Sequence, residues 1–188
     1  LKMIQYWNYL REFKINDKKI LNLINKVFKS GTLLLGKELK NFEKNYCKFN
    51  KVKFGVGVAN GTDALYIALK CLNIGKNDEV ITVSNTAIPT VAAIINTGAK
   101  AKFAGIGEDF LIDSNKIINL INKKTKAIIP VHLYGQMCEM DKIIKIAKKY
   151  KLKVIEDCAQ STGATYKGRK AGTLGDVGCH SFYPTKIL

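Results

Sequence analysis

A chain of 188 residues, 47% hydrophobic and 24% charged, has the composition of one globular domain with a single sizeable core. Its formal net charge of +16 comes from lysines spread along the whole length rather than gathered in one arm, which argues against a nucleic-acid binder. No apolar run approaches a membrane span, the charged amino terminus does not read as a signal peptide, and the five dispersed cysteines form no zinc-type cluster, so the chain reads as a cytoplasmic protein with reduced thiols and no metal.

Ile20, Leu23, Ile24, Val27 and Phe28 recur at helical spacing, with lysines and asparagines opposite. This predicts an amphipathic helix ending near Ser30 and Gly31. A second helix is expected after Gly36, through Leu39, Phe42 and Tyr46. Beyond Asn50, short apolar runs alternate with helical segments, the pattern of βαβ crossovers and a mostly parallel sheet. Strands are expected at 54–58, 79–83, 101–104, 127–131, 153–156 and 177–182. Helices are expected at 62–72, 87–96, 114–121 and 140–150. With no repeat or flexible linker, residues 1–188 read as one α/β domain.

Open parallel sheets bind ligands beyond the carboxyl ends of their strands. Three such places carry chemistry. Asn60-Gly61-Thr62-Asp63 follows one strand and opens a helix, where unpaired amides favour an anion; a plain helix cap by Asn60 or Thr62 is an even alternative. Glu156-Asp157 ends another strand, and because side chains alternate, only one of the two acids can face the crevice. Such an acid could pair with a protonated ring nitrogen, bind a metal or cap the next element. The last strand exits through Ser181-Phe182-Tyr183-Pro184-Thr185-Lys186. His132, Tyr134 and Tyr183 read first as packing residues, with His132 a buried, hydrogen-bonded core histidine.

The joint order of these motifs resembles the DegT/StrS family of pyridoxal-phosphate-dependent sugar aminotransferases. The resemblance also takes in Gly31, Gly36, Phe42-Glu43, Ser84-Asn85-Thr86-Ala87, Pro130-Val131-His132-Leu133-Tyr134-Gly135, Cys158-Ala159-Gln160 and Gly175-Asp176-Val177-Gly178. It implies an α/β/α sandwich of the aspartate-aminotransferase type, of which this chain is the amino-terminal part of the large domain. It further implies that Gly61, Thr62 and Ser181 hold the phosphate of pyridoxal 5'-phosphate, Asp157 pairs with its ring nitrogen, Gln160 lies beside the ring, and Lys186 forms the Schiff base.

The implied reaction converts a keto group of a nucleotide-linked sugar to an amine, with glutamate as donor, in a cytoplasmic homodimer with no nucleic-acid or membrane partner. Two neighbouring readings are a sugar dehydratase, which carries histidine in place of Lys186, and a catalytically silent regulatory or binding relative. Two positions depart from the family pattern. Ala87 stands where many relatives stack an aromatic ring on the cofactor, and where relatives commonly show an acidic pair after the third strand this chain reads Ala104-Gly105-Ile106-Gly107 before Glu108 and Asp109.

Overall fold

The computed structural model describes residues 8–186. Two compact units are distinguished: one runs to Phe49 and takes in Lys53–Gly57, the other holds Asn50–Val52 and everything from Val58 onward.

In the first unit, α1 spans Tyr9–Lys29 and α2 spans Lys37–Asn50. Asn8 caps α1 by accepting from the Arg11 amide at 3.0 Å, and the Ser30 hydroxyl closes it by donating to the Val27 carbonyl at 2.7 Å. The expected apolar stripe is present, yet Leu23, Ile24 and Phe28 remain 54%, 44% and 65% exposed. Segment 54–58, expected as a strand, pairs with no strand among the described residues. Its Phe54 and Val56 are exposed, and the Gly57 amide donates to Glu43 Oε1 at 2.8 Å. Alternating apolar residues and glycines specify an extended backbone; a strand needs in addition a neighbour to take its ladder hydrogen bonds.

The second unit runs α3 (Gly61–Cys71), β1 (Glu79–Val83), α4 (Ile88–Asn96), β2 (Lys100–Ala104), α5 (Ser114–Ile117), β3 (Thr125–Ile128), α6 (Met140–Tyr150) and β4 (Lys153–Asp157). It ends with β5 (Thr165–Tyr166), β6 (Arg169–Lys170) and β7 (Val177–Cys179). Five strands form one sheet in the order β2-β1-β3-β4-β7, every neighbouring pair parallel. Val80, Ile81, Thr82 and Val83 of β1 are all buried, as expected for an inner parallel strand covered on both faces. Ile143, Ile146 and Ala147 give α6 its buried stripe at helical spacing. Among the described residues no helix is long and apolar enough to cross a membrane.

Three local differences from expectation have simple causes. The helix expected at 114–121 is α5 followed by a 3₁₀ turn at Ile118–Leu120, because Thr125 must enter β3 only a few residues later. The strand expected at 177–182 stops at Cys179, where the chain leaves the sheet toward the start of α3. The hairpin β5–β6 turns on Lys167 and Gly168, both at positive φ, and two such short strands leave no periodic signal.

The placement of β7 depends on Glu156, which is fully buried. One carboxylate oxygen accepts from the amides of Leu174 at 2.7 Å and Gly175 at 2.6 Å; the other accepts from the Gly172 amide at 3.0 Å. The turn that feeds β7 is thereby tied to β4. Gly172 and Gly178 cross in that turn so closely that a Cβ on Gly178 would lie 2.4 Å from the Gly172 Cα, which only glycine permits. Cys138, Cys158 and Cys179 are buried, whereas Cys71 is exposed.

Candidate functional site

At the carboxyl end of the sheet lies a cavity of about 250 Å³. Its walls are the starts of α3 and α4 and the residues that follow β3, β4 and β7. Gly61, Thr62, Asp157, Gln160, Ser181 and Lys186, the residues singled out in the sequence, all line it.

The start of α3 is both a cap and an open end. Asn60 accepts from the Asp63 amide at 2.9 Å through its side chain and from the Ala64 amide at 3.0 Å through its carbonyl. The amides of Gly61 and Thr62 precede the first intrahelical bond, so they are available to an anion at the positive end of the helix. A Cβ on Gly61 would lie 2.9 Å from the Ser181 Cβ; glycine here is what lets the exit of β7 close against the helix start. The Ser181 hydroxyl is thereby set beside those amides, at the same wall.

On β4 the alternation resolves the two acids. Asp157 faces the cavity and is 5% exposed. Its Oδ2 accepts from the Thr90 hydroxyl at 2.7 Å and its Oδ1 from the Ala159 amide at 3.1 Å. Burial pushes this carboxyl above its ordinary value, and Thr90, Ala159, His132 and Lys186 pull it only part of the way back. Lys186 is half-buried, held in a turn by its own amide bonded to the Tyr183 carbonyl at 2.8 Å.

His132 is a fully buried core histidine. Its Nδ1 accepts from the Cys138 amide at 3.2 Å, which leaves the proton on Nε2 to donate to Glu156 Oε2 at 3.0 Å. One ligand atom each from His132, Glu156 and Cys158 lie within 4.8 Å of one another, and all three are engaged in hydrogen bonds to the protein. Burial also holds His180 down, at about 4.

Sequence reasoning did not single out Thr90, whose hydroxyl links Asp157 to the Thr86 hydroxyl through contacts of 2.7 Å each; a lone threonine in the first turn of a helix has no signature of its own. Ala87 is at the N-cap position of α4, exposed, without a side-chain cap, and at the cavity wall. Gly105 and Gly107 lie elsewhere, in a turn closed by bonds from the Asp113 amide to the Gly105 carbonyl and from the Gly107 amide to the Leu111 carbonyl.

One wall thus offers amides and a hydroxyl to an anion, the floor a buried carboxylate to a cationic donor, and the rim a primary amine. A relative from Micromonospora megalomicea subsp. nigra, dTDP-3-amino-3,4,6-trideoxy-alpha-D-glucose transaminase, is 46% identical over 97% of this chain and 49% of its own length. A pleiotropic regulatory protein of Geobacillus stearothermophilus is 43% identical over 90% of this chain and 46% of its own. The crystal structure of DesV from S. venezuelae, in complex with a ketimine intermediate, superimposes with a TM-score of 0.95 at 36% identity, covering 97% of this chain and 50% of that one. The chain spans about half the length of the curated relatives it matches. A family model matches residues 14–188, nearly all of the described fold together with every wall of the cavity, and on that match the chain belongs to the DegT/DnrJ/EryC1/StrS aminotransferase family.

Proposed function

We propose that this chain is the cofactor-binding part of a pyridoxal-phosphate-dependent aminotransferase that converts a keto group of a nucleotide-linked sugar to an amine, with glutamate as donor. The observation that carries the reading is that one cavity joins the open start of α3, the buried Asp157 and the Lys186 amine. The substrate class is supported by the transaminase relative, whose name specifies a dTDP-linked amino sugar.

The residues present fit the cofactor. A buried carboxylate with two protein donors among the described residues has room for a third, and a protonated ring nitrogen is a donor of the right charge. When bound, pyridoxal phosphate supplies an electron sink for the electron pair left on the carbon next to the transferred nitrogen. The Gly61 and Thr62 amides and the Ser181 hydroxyl would hold the phosphate, and Asp157 would keep the ring nitrogen protonated. Gln160 would lie beside the ring. Lys186 Nζ would attach the cofactor covalently and, when released, carry a proton to and from the substrate carbon. A lysine at 186 speaks against the dehydratase alternative. A homodimer is part of the same reading, and the exposed apolar stripe of α1 is surface that a second copy could cover.

The test is an absorption spectrum of the protein at the length of its relatives, with pyridoxal phosphate, before and after glutamate. The reading expects a visible band that glutamate displaces. A protein that binds the cofactor without responding to any amino donor would be a silent relative, and one that develops no band would refute the cofactor assignment.

A further inference from the structure

Thr90 is 1% exposed and sits in the first turn of α4, with its hydroxyl 2.7 Å from Asp157 Oδ2. An ionised carboxylate only accepts, so Thr90 donates its proton to Asp157. The second contact of that hydroxyl, 2.7 Å from the half-buried Thr86 Oγ1, must then be one in which Thr86 donates and Thr90 accepts. The chain therefore has one direction, from Thr86 through Thr90 to Asp157, and successive donors polarise one another. The Ala159 amide fixes the other oxygen. Between them the carboxylate plane is set, and each oxygen keeps a lone pair.

We propose that Thr90, backed by Thr86, is a positioning residue that orients the Asp157 carboxylate and keeps it an acceptor for the cofactor's ring nitrogen; the inference rests on the pyridoxal phosphate reading above. Thr90 is the largest of the influences opposing burial at Asp157. Among the described residues, the other ionisable groups around Asp157 are Lys186, His132, Glu156 and the thiols of Cys158 and Cys179. None of them donates a hydrogen bond to the carboxylate, so none replaces the hydroxyl.

The experiment measures binding rather than turnover. Apo protein at the length of its relatives is titrated with pyridoxamine phosphate and with the analogue carrying carbon in place of the ring nitrogen, across the acid range. Thr90→Val keeps the shape and removes the hydroxyl. It should weaken pyridoxamine phosphate about tenfold, move the acid limb of binding upward by about one pH unit, and leave the affinity for the analogue essentially unchanged. Thr90→Ser should restore wild-type behaviour. Thr86→Val should show the same pattern at smaller amplitude, and decides the matter should Thr90→Val fail to fold. Equal loss for both ligands, or no loss for either, would overturn the proposal by showing that Thr90 is packing alone. If the wild-type protein binds neither ligand, the cofactor reading itself fails, and this inference with it.

Discussion

At the end of β4, among the described residues, Glu156 receives four hydrogen-bond donors, from His132 and the amides of Gly172, Leu174 and Gly175, whereas its neighbour Asp157 receives two. Both are buried, and burial by itself raises either carboxyl. On the Glu156 side the hydrogen bonds from His132 and from the Gly175 and Leu174 amides outweigh burial and hold the carboxyl below its usual value. On the Asp157 side burial wins. A carboxylate whose acceptor sites are filled by the protein's own backbone is a structural strut. One left short of donors, next to a cavity, is ready for a donor from outside. The same strand end thus carries both a strut and an acceptor left open to the cavity, separated by the alternation of side chains.

The largest effects are expected on the cavity side. In the protein at the length of its relatives, Lys186→Ala should lower amino transfer by at least about 10³-fold, through loss of both the covalent link and the proton carrier. Some pyridoxal phosphate should remain bound through the α3 start, and turnover with equilibrium dialysis checks both points. Asp157→Asn should cost roughly 10²–10³-fold in turnover, the loss of one preorganised electrostatic partner. Its apo form should stay within about 1 kcal/mol of wild type, on the stabilising side, because a costly buried charge is gone. Glu156→Gln should do the reverse. It places an amide against the Gly172 and His132 donors and should cost about 3 kcal/mol in urea unfolding. A larger stability loss from Asp157→Asn than from Glu156→Gln would show that Asp157, not Glu156, is the strut.

The smallest effect is in pH. Glu156 has a folded value below its unfolded one, so its stabilising contribution is present above the unfolded value and is lost as pH falls through the folded value. Asp157 has a folded value above its unfolded one, so the folded state takes up this proton first and gains stability as pH falls through the raised value. On acidification the gap between wild type and Asp157→Asn should therefore close first, and that for Glu156→Gln only in stronger acid. Unfolding curves of the apo proteins at stepped pH read the order directly.

Much of this was legible in the sequence, for reasons that can be named. β1, β3 and β4 are buried strands whose apolar runs are long enough to be read, and α6 has an unbroken helical period. That only one of Glu156 and Asp157 faces the crevice follows from alternation alone. Which of the two it would be does not, because the choice depends on the phase of β4 against the turn at Gly172–Gly175. The 54–58 segment misled because periodicity reports where side chains point and not what lies alongside. Thr90 was invisible because its importance lies wholly in a partner 67 positions away. The ordered motifs along the chain pointed to Gly61, Ser181 and Lys186, and the fold brings them to one cavity with Asp157.

On the proposed reading, this cavity holds pyridoxal phosphate on Lys186. The most direct measurement is borohydride reduction of the protein at the length of its relatives after incubation with pyridoxal phosphate, followed by digestion and mass spectrometry of the lysine-containing peptides. The account predicts a single stoichiometric adduct, on the peptide carrying Lys186, that is prevented when pyridoxamine phosphate fills the cavity first. An adduct on another lysine, or scattered substoichiometric labelling that pyridoxamine phosphate does not block, would contradict it.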